Sequence, residues 1–437
     1  MTCLHKYVHT ACALACAGAF ALSAHAQTLS STEQRIAAEV KAHAPEALKL
    51  LEQAVNINSG TMNHAGVRQT GQLFMREFAA LGFETRWLDL PAEVNRAGHL
   101  LATRAGTQGK RLLLLGHLDT VFEKDSPVQK WEWRGKRVRG QGVNDMKGGD
   151  VVVVEALRAL HKVGALDNTT ITIMFTGDEE EAGNPKSISR RDMIEAAKRS
   201  DIALSFEGTV TDKDGHATGT IGRRSSSMWD LHVTGRQGHS SGIFRNASYG
   251  AIFEAARILD TFRREVPEAD LSFNPGLIVG GTETTFDEAN ARATAFGKTN
   301  VIANTATVAG DLRYLTYEQR DRVHAKMKAI VAQHLPGTDA TITFRDSYPP
   351  MEPTEGNHRL LAVYSQASQD AGLGPVTAVP PGQRGAGDIQ FVAPYVDSLD
   401  GLGASGGGAH SPNEELDPAS IGRAATRTAI LIYRLTR

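Results

Sequence analysis

Residues 111–121 read Arg-Leu-Leu-Leu-Leu-Gly-His-Leu-Asp-Thr-Val. Four consecutive leucines suit a strand covered on both faces, the pattern of a parallel sheet held between helix layers. Gly116-His117-Leu118-Asp119 then falls at the carboxyl end of that strand. Open α/β sheets place their ligands there. Residues two apart in extended chain point the same way, so His117 and Asp119 share a face. Alone, this pair fits a satisfied loop histidine as well as a site.

The pattern extends on both sides of this strand. ITIMF (171–175) and IALSF (202–206) are further buried strands, VVVVEALRALHK (151–162) is a helix after a Gly-Gly pair, and 188–200 is helical and charged. This predicts an α/β layer with a mainly parallel sheet and helices on both faces. Near residue 220 the texture changes. MWDLHVTG (228–235) alternates like a half-exposed strand; a helix (248–264), strands near 276–280 and 300–313, a helix (317–334) and ATITF (340–344) follow. Strand-helix-strand-strand-helix-strand is the order of a ferredoxin-like α+β unit. After Pro349-Pro350, a helix (357–371), a strand near 396–399 and a helix (417–435) return to α/β character. The expected division is therefore 27–219 and 348–437 for the α/β part, with 220–347 inserted.

The chain has 437 residues, 22% charged and 41% hydrophobic, with 47 Lys+Arg against 49 Asp+Glu. That balance excludes a basic nucleic-acid binder and a disordered chain. The three cysteines, Cys3, Cys12 and Cys16, all lie near the N-terminus. Lys6, the apolar stretch from Thr10 to Leu22 and Ala24-His25-Ala26 fit a secretory signal, residues 1–26, cut before Gln27. A lipoprotein signal at Cys16 is the weaker alternative. The apolar run is too short to span a bilayer, so no membrane contact is expected after cleavage. The exported chain, in the periplasm of a bacterium, then has no cysteine, and any metal must be held by His, Asp and Glu.

Four more clusters could carry chemistry. Asp145, in Gly142-Val143-Asn144-Asp145-Met146-Lys147-Gly148-Gly149, precedes a helix as an N-cap or as a bridging metal carboxylate. Asp178-Glu179-Glu180-Glu181 follows a buried strand. Four acids in a row are either a solvated loop or a site whose repulsion a divalent cation offsets. Phe206-Glu207-Gly208 ends another strand, and Gly406-Gly407-Gly408-Ala409-His410-Ser411 lies near the C-terminus. Each is weak alone. Together they supply two imidazoles and several carboxylates without a thiol, which suits two zinc ions sharing a carboxylate in a hydrolytic site.

GHLDTV, GVNDMKGG, TGDEE, FEG and GGGAH, in this order, resemble the co-catalytic dizinc peptidases that include glutamate carboxypeptidase, aminoacylase and succinyl-diaminopimelate desuccinylase. Glu207, rather than Asp, is closer to the glutamate carboxypeptidase branch. The resemblance covers essentially the whole mature chain. It implies a catalytic α/β domain interrupted by a lid that in many members also makes a homodimer. It implies one zinc held by His117, Asp145 and Glu207, and another by Asp145, Glu180 and His410, with cobalt a possible replacement. Glu179 would be the general base and Asp119 would orient His117. The family usually shows Asp-Glu-Glu, one residue, then Gly; here Glu181-Ala182-Gly183 follows. Aligning on the Gly would make Glu180 the base and Glu181 the ligand. The first register keeps the leading Asp and the strand-to-acid spacing.

In the lid, His239 resembles a histidine that polarises the scissile carbonyl, often from the partner subunit. Asn300 and Arg313 resemble residues that hold a substrate carboxylate, a task bidentate Arg suits. Gly385-Ala386-Gly387-Asp388 resembles a Gly-rich loop that the family places near the site, which would make Asp388 a support there; Arg384 and Ser241-Gly242-Ile243-Phe244 depart from the usual pattern. The implied activity is cleavage of an amide next to a free carboxylate, in a small peptide or an N-acyl amino acid. Aminoacylase and dipeptidase activity are the alternatives on the same site. Gly238-His239-Ser240-Ser241-Gly242 also fits the serine-hydrolase elbow. That elbow belongs in an α/β domain, so Ser240 is a remote alternative.

Overall fold

A computed structural model describes residues 28–245, 248–287 and 292–437. The signal reading of residues 1–26 lies outside them. The chain opens with helices α1 (Ser31–Ala42), α2 (Ala44–Val55) and α3 (His64–Ala80). Strands β1 (Glu84–Leu88), β2 (His99–Arg104) and β3 (Gln108–His117) follow, then α4 (Gly148–Lys162), β4 (Thr169–Thr176) and β5 (Ile202–Ser205). The inserted unit runs β6 (Ser226–Gly235), α5 (Gly250–Glu265), β7 (Ser272–Gly281), β8 (Thr305–Arg313), α6 (Tyr317–Val331) and β9 (Thr338–Tyr348). Helix α7 (Glu355–Asp370), β10 (Asp397–Leu399) and α8 (Pro418–Leu435) complete the α/β part.

The main sheet has the order β1-β2-β4-β3-β5-β10. Its last four strands are parallel, while β1 and β2 add an antiparallel edge. The four leucines divide by parity. Leu112 and Leu114 join the core under α1, α2, α4 and α8, and Leu113 and Leu115 join the opposite core with Met193, Ile389 and Phe391. Helix α4 lies between sheet and outer helices, so Val151 to Val154 are all fully buried, which explains four consecutive valines around one turn. Its start needs glycine: a Cβ on Gly149 would lie 1.9 Å from the Phe206 carbonyl oxygen.

The inserted unit is a four-stranded antiparallel sheet, order β7-β8-β6-β9, carrying α5 and α6 on one face. This is the ferredoxin-like arrangement. Three expectations need adjusting. The strand placed at 300–313 begins only at Thr305. The helix placed at 188–200 is two short pieces, Lys186–Ser189 and Arg191–Ala197, because Arg190 turns inward to a buried ion pair. A hairpin, Glu283–Asp287 with Arg292–Phe296, extends β7 and has no counterpart among the expected strands. No helix among the described residues is long and apolar enough to cross a membrane.

Candidate metal centre

Side chains from five distant stretches meet at the carboxyl ends of the parallel strands. His117 ends β3, the Asp178–Glu181 run follows β4, Glu207 follows β5, Asp145 precedes α4 and His410 lies on the loop before α8. Asp145 is central. Its Oδ1 lies 3.3 Å from His117 Nε2 and its Oδ2 3.1 Å from His410 Nε2. Glu207 Oε1 is 3.7 Å from His117 Nε2, and Glu180 Oε2 is 2.9 Å from His410 Nε2. The buried Oε1 of Glu180 has no hydrogen-bond partner among the described residues. His117 with Asp145 and Glu180, and His117 with Glu179 and Glu207, both offer ligand atoms close enough to share an ion. Nitrogen and carboxylate oxygen donors without sulfur suit zinc or a neighbouring divalent metal.

The electrostatics point the same way. Burial pushes the His117 ring down, yet the Asp145 hydrogen bond and the Glu179 and Glu207 carboxylates leave it well above its ordinary value. Contacts with Asp145 and Glu180 lift His410 to about 11. Burial resists the charged form of Asp145, but bonds from His117 and His410 hold its carboxyl far below the usual range. Burial and the Asp145 charge lift Glu207 to about 7. Burial and the neighbouring carboxylates also raise Glu179 strongly, against the lowering effect of His117. Crowded carboxylates that draw protons onto both imidazoles are a site with a deficit of positive charge, which a cation would supply.

The acid run is fixed by Asp119. Its Oδ1 accepts the Glu179 N–H at 3.0 Å, and its Oδ2 accepts the Glu180 N–H at 3.1 Å and the Thr61 hydroxyl at 2.7 Å. The expected contact with His117 takes a different form: the Asp119 carbonyl oxygen is 3.0 Å from His117 Nδ1, and its carboxylate 3.6 Å away. Glu181 leaves the cluster. Its side chain is 65% exposed and pairs with Arg96 at 2.9 Å.

Sequence reasoning missed three supports. Glu414 is fully buried and accepts the N–H groups of Asn144 and Asp145 at 2.8 and 3.0 Å. Burial lifts its carboxyl to about 8, although those two bonds act in the opposite direction. Lys147, also fully buried, donates to the Ile57 carbonyl at 3.0 Å, and burial lowers it to about 7. Arg190 donates to Asp178 Oδ1 at 2.6 Å and to Asp388 Oδ1 at 2.7 Å, all three residues buried. Asp388 also accepts the Thr176 hydroxyl at 2.6 Å. Arg190→Met leaves two buried carboxylates unpaired. It is expected to destabilise the fold by about 3–5 kcal/mol, read from denaturant unfolding, whereas a surface change such as Arg191→Met should cost under about 0.5 kcal/mol.

The remaining expected residues stay outside the hydrogen bonds and ion pairs of the cluster. Among the described residues, His239, Asn300 and Arg313 make no hydrogen bond or ion pair to the cluster. His239 is exposed and bonds Ser241 Oγ at 2.9 Å. Asn300 is exposed, and its carbonyl accepts the Ser240 N–H at 3.0 Å. Arg313 pairs with Asp311 at 3.0 Å. Gly385 offers its carbonyl to buried Arg223 at 2.7 Å. Ser240 opens a one-turn helical segment, Ser240–Gly242, in the inserted unit, and among the described residues it forms no hydrogen bond with His410 or Asp388. The strand-turn-helix of a nucleophile elbow is therefore missing there.

This fold and this cluster of imidazoles and carboxylates define a metallopeptidase, and the chain belongs to Peptidase family M20/M25/M40, whose model matches residues 113–434. It is 29% identical to carboxypeptidase G2 of Pseudomonas sp. (strain RS-16) over 404 residues, 90% of this chain and 89% of that one. It is 28% identical to a succinyl-diaminopimelate desuccinylase of Alkalilimnicola ehrlichii over 392 residues, 86% of this chain and 95% of the relative. The solved Bacillus subtilis YXEP protein, a dinuclear metal binding peptidase of the same family, shares the fold with a TM-score of 0.64 at 16% identity. That likeness covers 91% of this chain and 99% of the other.

Proposed function

We propose that this chain is an exported two-metal hydrolase of amide bonds that lie next to a free carboxylate, a carboxypeptidase of the glutamate carboxypeptidase type. The observation that carries the reading is the Asp145 carboxylate, whose two oxygens face two different histidines at 3.3 and 3.1 Å. One ion would be held by His117, Asp145 and Glu207, and the other by Asp145, Glu180 and His410. Zinc fits this donor set and cobalt could replace it. When bound, such a pair supplies Lewis-acid activation of water and of the scissile carbonyl. Glu179 takes a proton from the attacking water and returns it to the leaving nitrogen. Asp119 keeps the acid run aimed through backbone bonds from Glu179 at 3.0 Å and from Glu180 at 3.1 Å. Residues 220–347 act as the lid, where Arg313 engages the substrate carboxylate, Asn300 and His239 of a second copy reach the carboxylate and the carbonyl oxygen, and Gly385 lines the site. N-acyl amino acids and dipeptides are the alternative substrates of the same machinery. The leader reading of residues 1–26 supports a periplasmic location.

The protonated imidazoles carry a pH prediction. His410, lifted to about 11 in the metal-free protein, bears a proton at neutral pH. The Asp145, Glu179 and Glu207 carboxylates favour the protonated ring of His117 in the same direction. Both imidazoles must give up that proton before they can ligate, so zinc uptake at pH 7 is expected to release protons, and metal affinity to fall as pH falls. A pH indicator in weak buffer reads this directly. Uptake without proton release removes His410 and His117 from the ligand set.

The defining test is metal content per chain, with hydrolysis of an N-acyl glutamate and neutral analogues before and after chelation. About two zincs, with activity lost on chelation and restored by zinc, is the expected result. Activity indifferent to chelation overturns it.

A further inference from the structure

A polar pocket of about 170 Å³ opens between the short strand Arg137–Arg139, the loop after Glu207, the loop leading to His410 and the first turns of α8. Three guanidinium groups line it, those of Arg137, Arg423 and Arg427, against one carboxylate, Asp417. Two are partly neutralised. Arg423 pairs with Asp417 at 2.6 Å, and Arg137 with Glu415 at 3.3 Å. Arg427 is different. It is 7% exposed, its Nε donates to the Ser368 hydroxyl at 2.9 Å, its side chain also bonds the Tyr364 hydroxyl, and no carboxylate of the described residues forms an ion pair with it. A buried cation without a counter-charge is costly and is kept only where something compensates it. Arg423 and Arg427 stand four apart on α8, so they share a face, and the one carboxylate there, Asp417, is already engaged by Arg423.

We propose that this pocket binds a small oxyanion, with Arg427 as its principal partner and Arg423 and Arg137 completing the shell. Guanidinium groups suit this through paired N–H donors. Inorganic phosphate or sulfate and the carboxylate of a small organic acid share the needed chemistry. Ser405 and Gly406 line the pocket and lead into the His410 loop, while Thr209 and Thr211 follow Glu207. A bound anion therefore fastens together two segments that carry residues of the cluster.

The test is calorimetric titration of the metal-loaded protein with phosphate, sulfate and acetate at matched ionic strength, beside thermal unfolding. A saturable site with one anion per chain and a rise in Tm that follows occupancy is expected. Preference for phosphate and sulfate identifies an inorganic anion; an equal response to acetate identifies a carboxylate. Arg427→Gln should weaken binding at least tenfold. Arg423→Gln, on a half-exposed side chain, should weaken it severalfold without touching the buried position, so the test stands even if the first variant folds poorly. Absence of saturable binding by all three anions overturns the proposal. So does affinity changed less than twofold in both variants, because the anion would then sit at the metals.

Discussion

Glu179→Gln is expected to lower turnover by about 10²- to 10⁴-fold, the usual contribution of a general base, while metal content stays at two per chain. The amide has the shape of the carboxylate but cannot accept the proton. The fold of the acid run should survive, because its anchors are backbone N–H bonds from Glu179 and Glu180 to Asp119. Glu180→Gln should behave differently. Glu180 faces His410 at 2.9 Å, so its replacement should cost metal as well as activity. Glu181→Gln should leave both within about twofold, since that side chain is 65% exposed against Arg96 and surface pairs contribute little. Metal analysis beside single-substrate kinetics on the three variants separates the two registers of the acid run. If Glu180→Gln keeps both metals yet abolishes turnover and Glu181→Gln sheds metal, the base is Glu180 and the assignment is wrong.

What was legible in the sequence was what a single strand or loop encodes. Leu112 to Leu115 announced a strand covered on both faces, and their parity split between two cores follows from the pleat. His117, Asp145, Glu180, Glu207 and His410 could be gathered because each sits at a strand end or in a glycine-rich loop. Glu414 could not. It bonds Asn144 and Asp145 across 270 and 269 positions of sequence, and Asn-Glu-Glu beside Pro412 reads as an ordinary solvated turn. Arg190 was hidden for a similar reason. It sits in a charged stretch that suggests an exposed helix face, and only the folded chain aims it at Asp178 and Asp388. The role expected of Asp119 was legible in position but not in partner, since its carboxylate is taken by the backbone of the acid run and by Thr61. Adjacent lid motifs were legible as motifs, but their separation in space depends on strand register.

That register leads to the second large effect. Two inactive variants, His239→Ala and Glu179→Gln, are expected to recover activity when mixed and re-associated. Strand β8 runs antiparallel to β6, with Thr305 opposite Thr234 and Leu312 opposite Ser227. His239 and Asn300 lie together beyond the Thr234 end, tied by the His239–Val301 bridge and the bond from Ser240 to Asn300. Arg313 closes the other end, beside Tyr314, which bonds Ser225 next to the Arg223 that holds Gly385. Eight strand steps at roughly 3.4 Å put about 27 Å between these ends. Rigid closure of one lid sheet therefore cannot bring His239 and Arg313 of one chain to one substrate carboxylate and its neighbouring carbonyl. A second copy can, by presenting its His239 end to the first copy's cluster. The surface there is fit for it, with Phe244 72%, Phe296 57% and Ile278 58% exposed around edge strand β7. Exposed apolar side chains grouped in this way mark a contact surface. In a two-fold dimer, a mixed pair holds one site with both intact residues and one with neither. Random re-association should then restore roughly a quarter of wild-type activity per chain, while each variant alone stays inactive. Recovery is read after mild dissociation and dilution of the mixture, beside sedimentation of the intact protein. No recovery, with exchange verified by a tagged subunit, places His239 in its own chain's site or outside the reaction. A monomer in sedimentation at assay concentration leads to the same conclusion by an independent route.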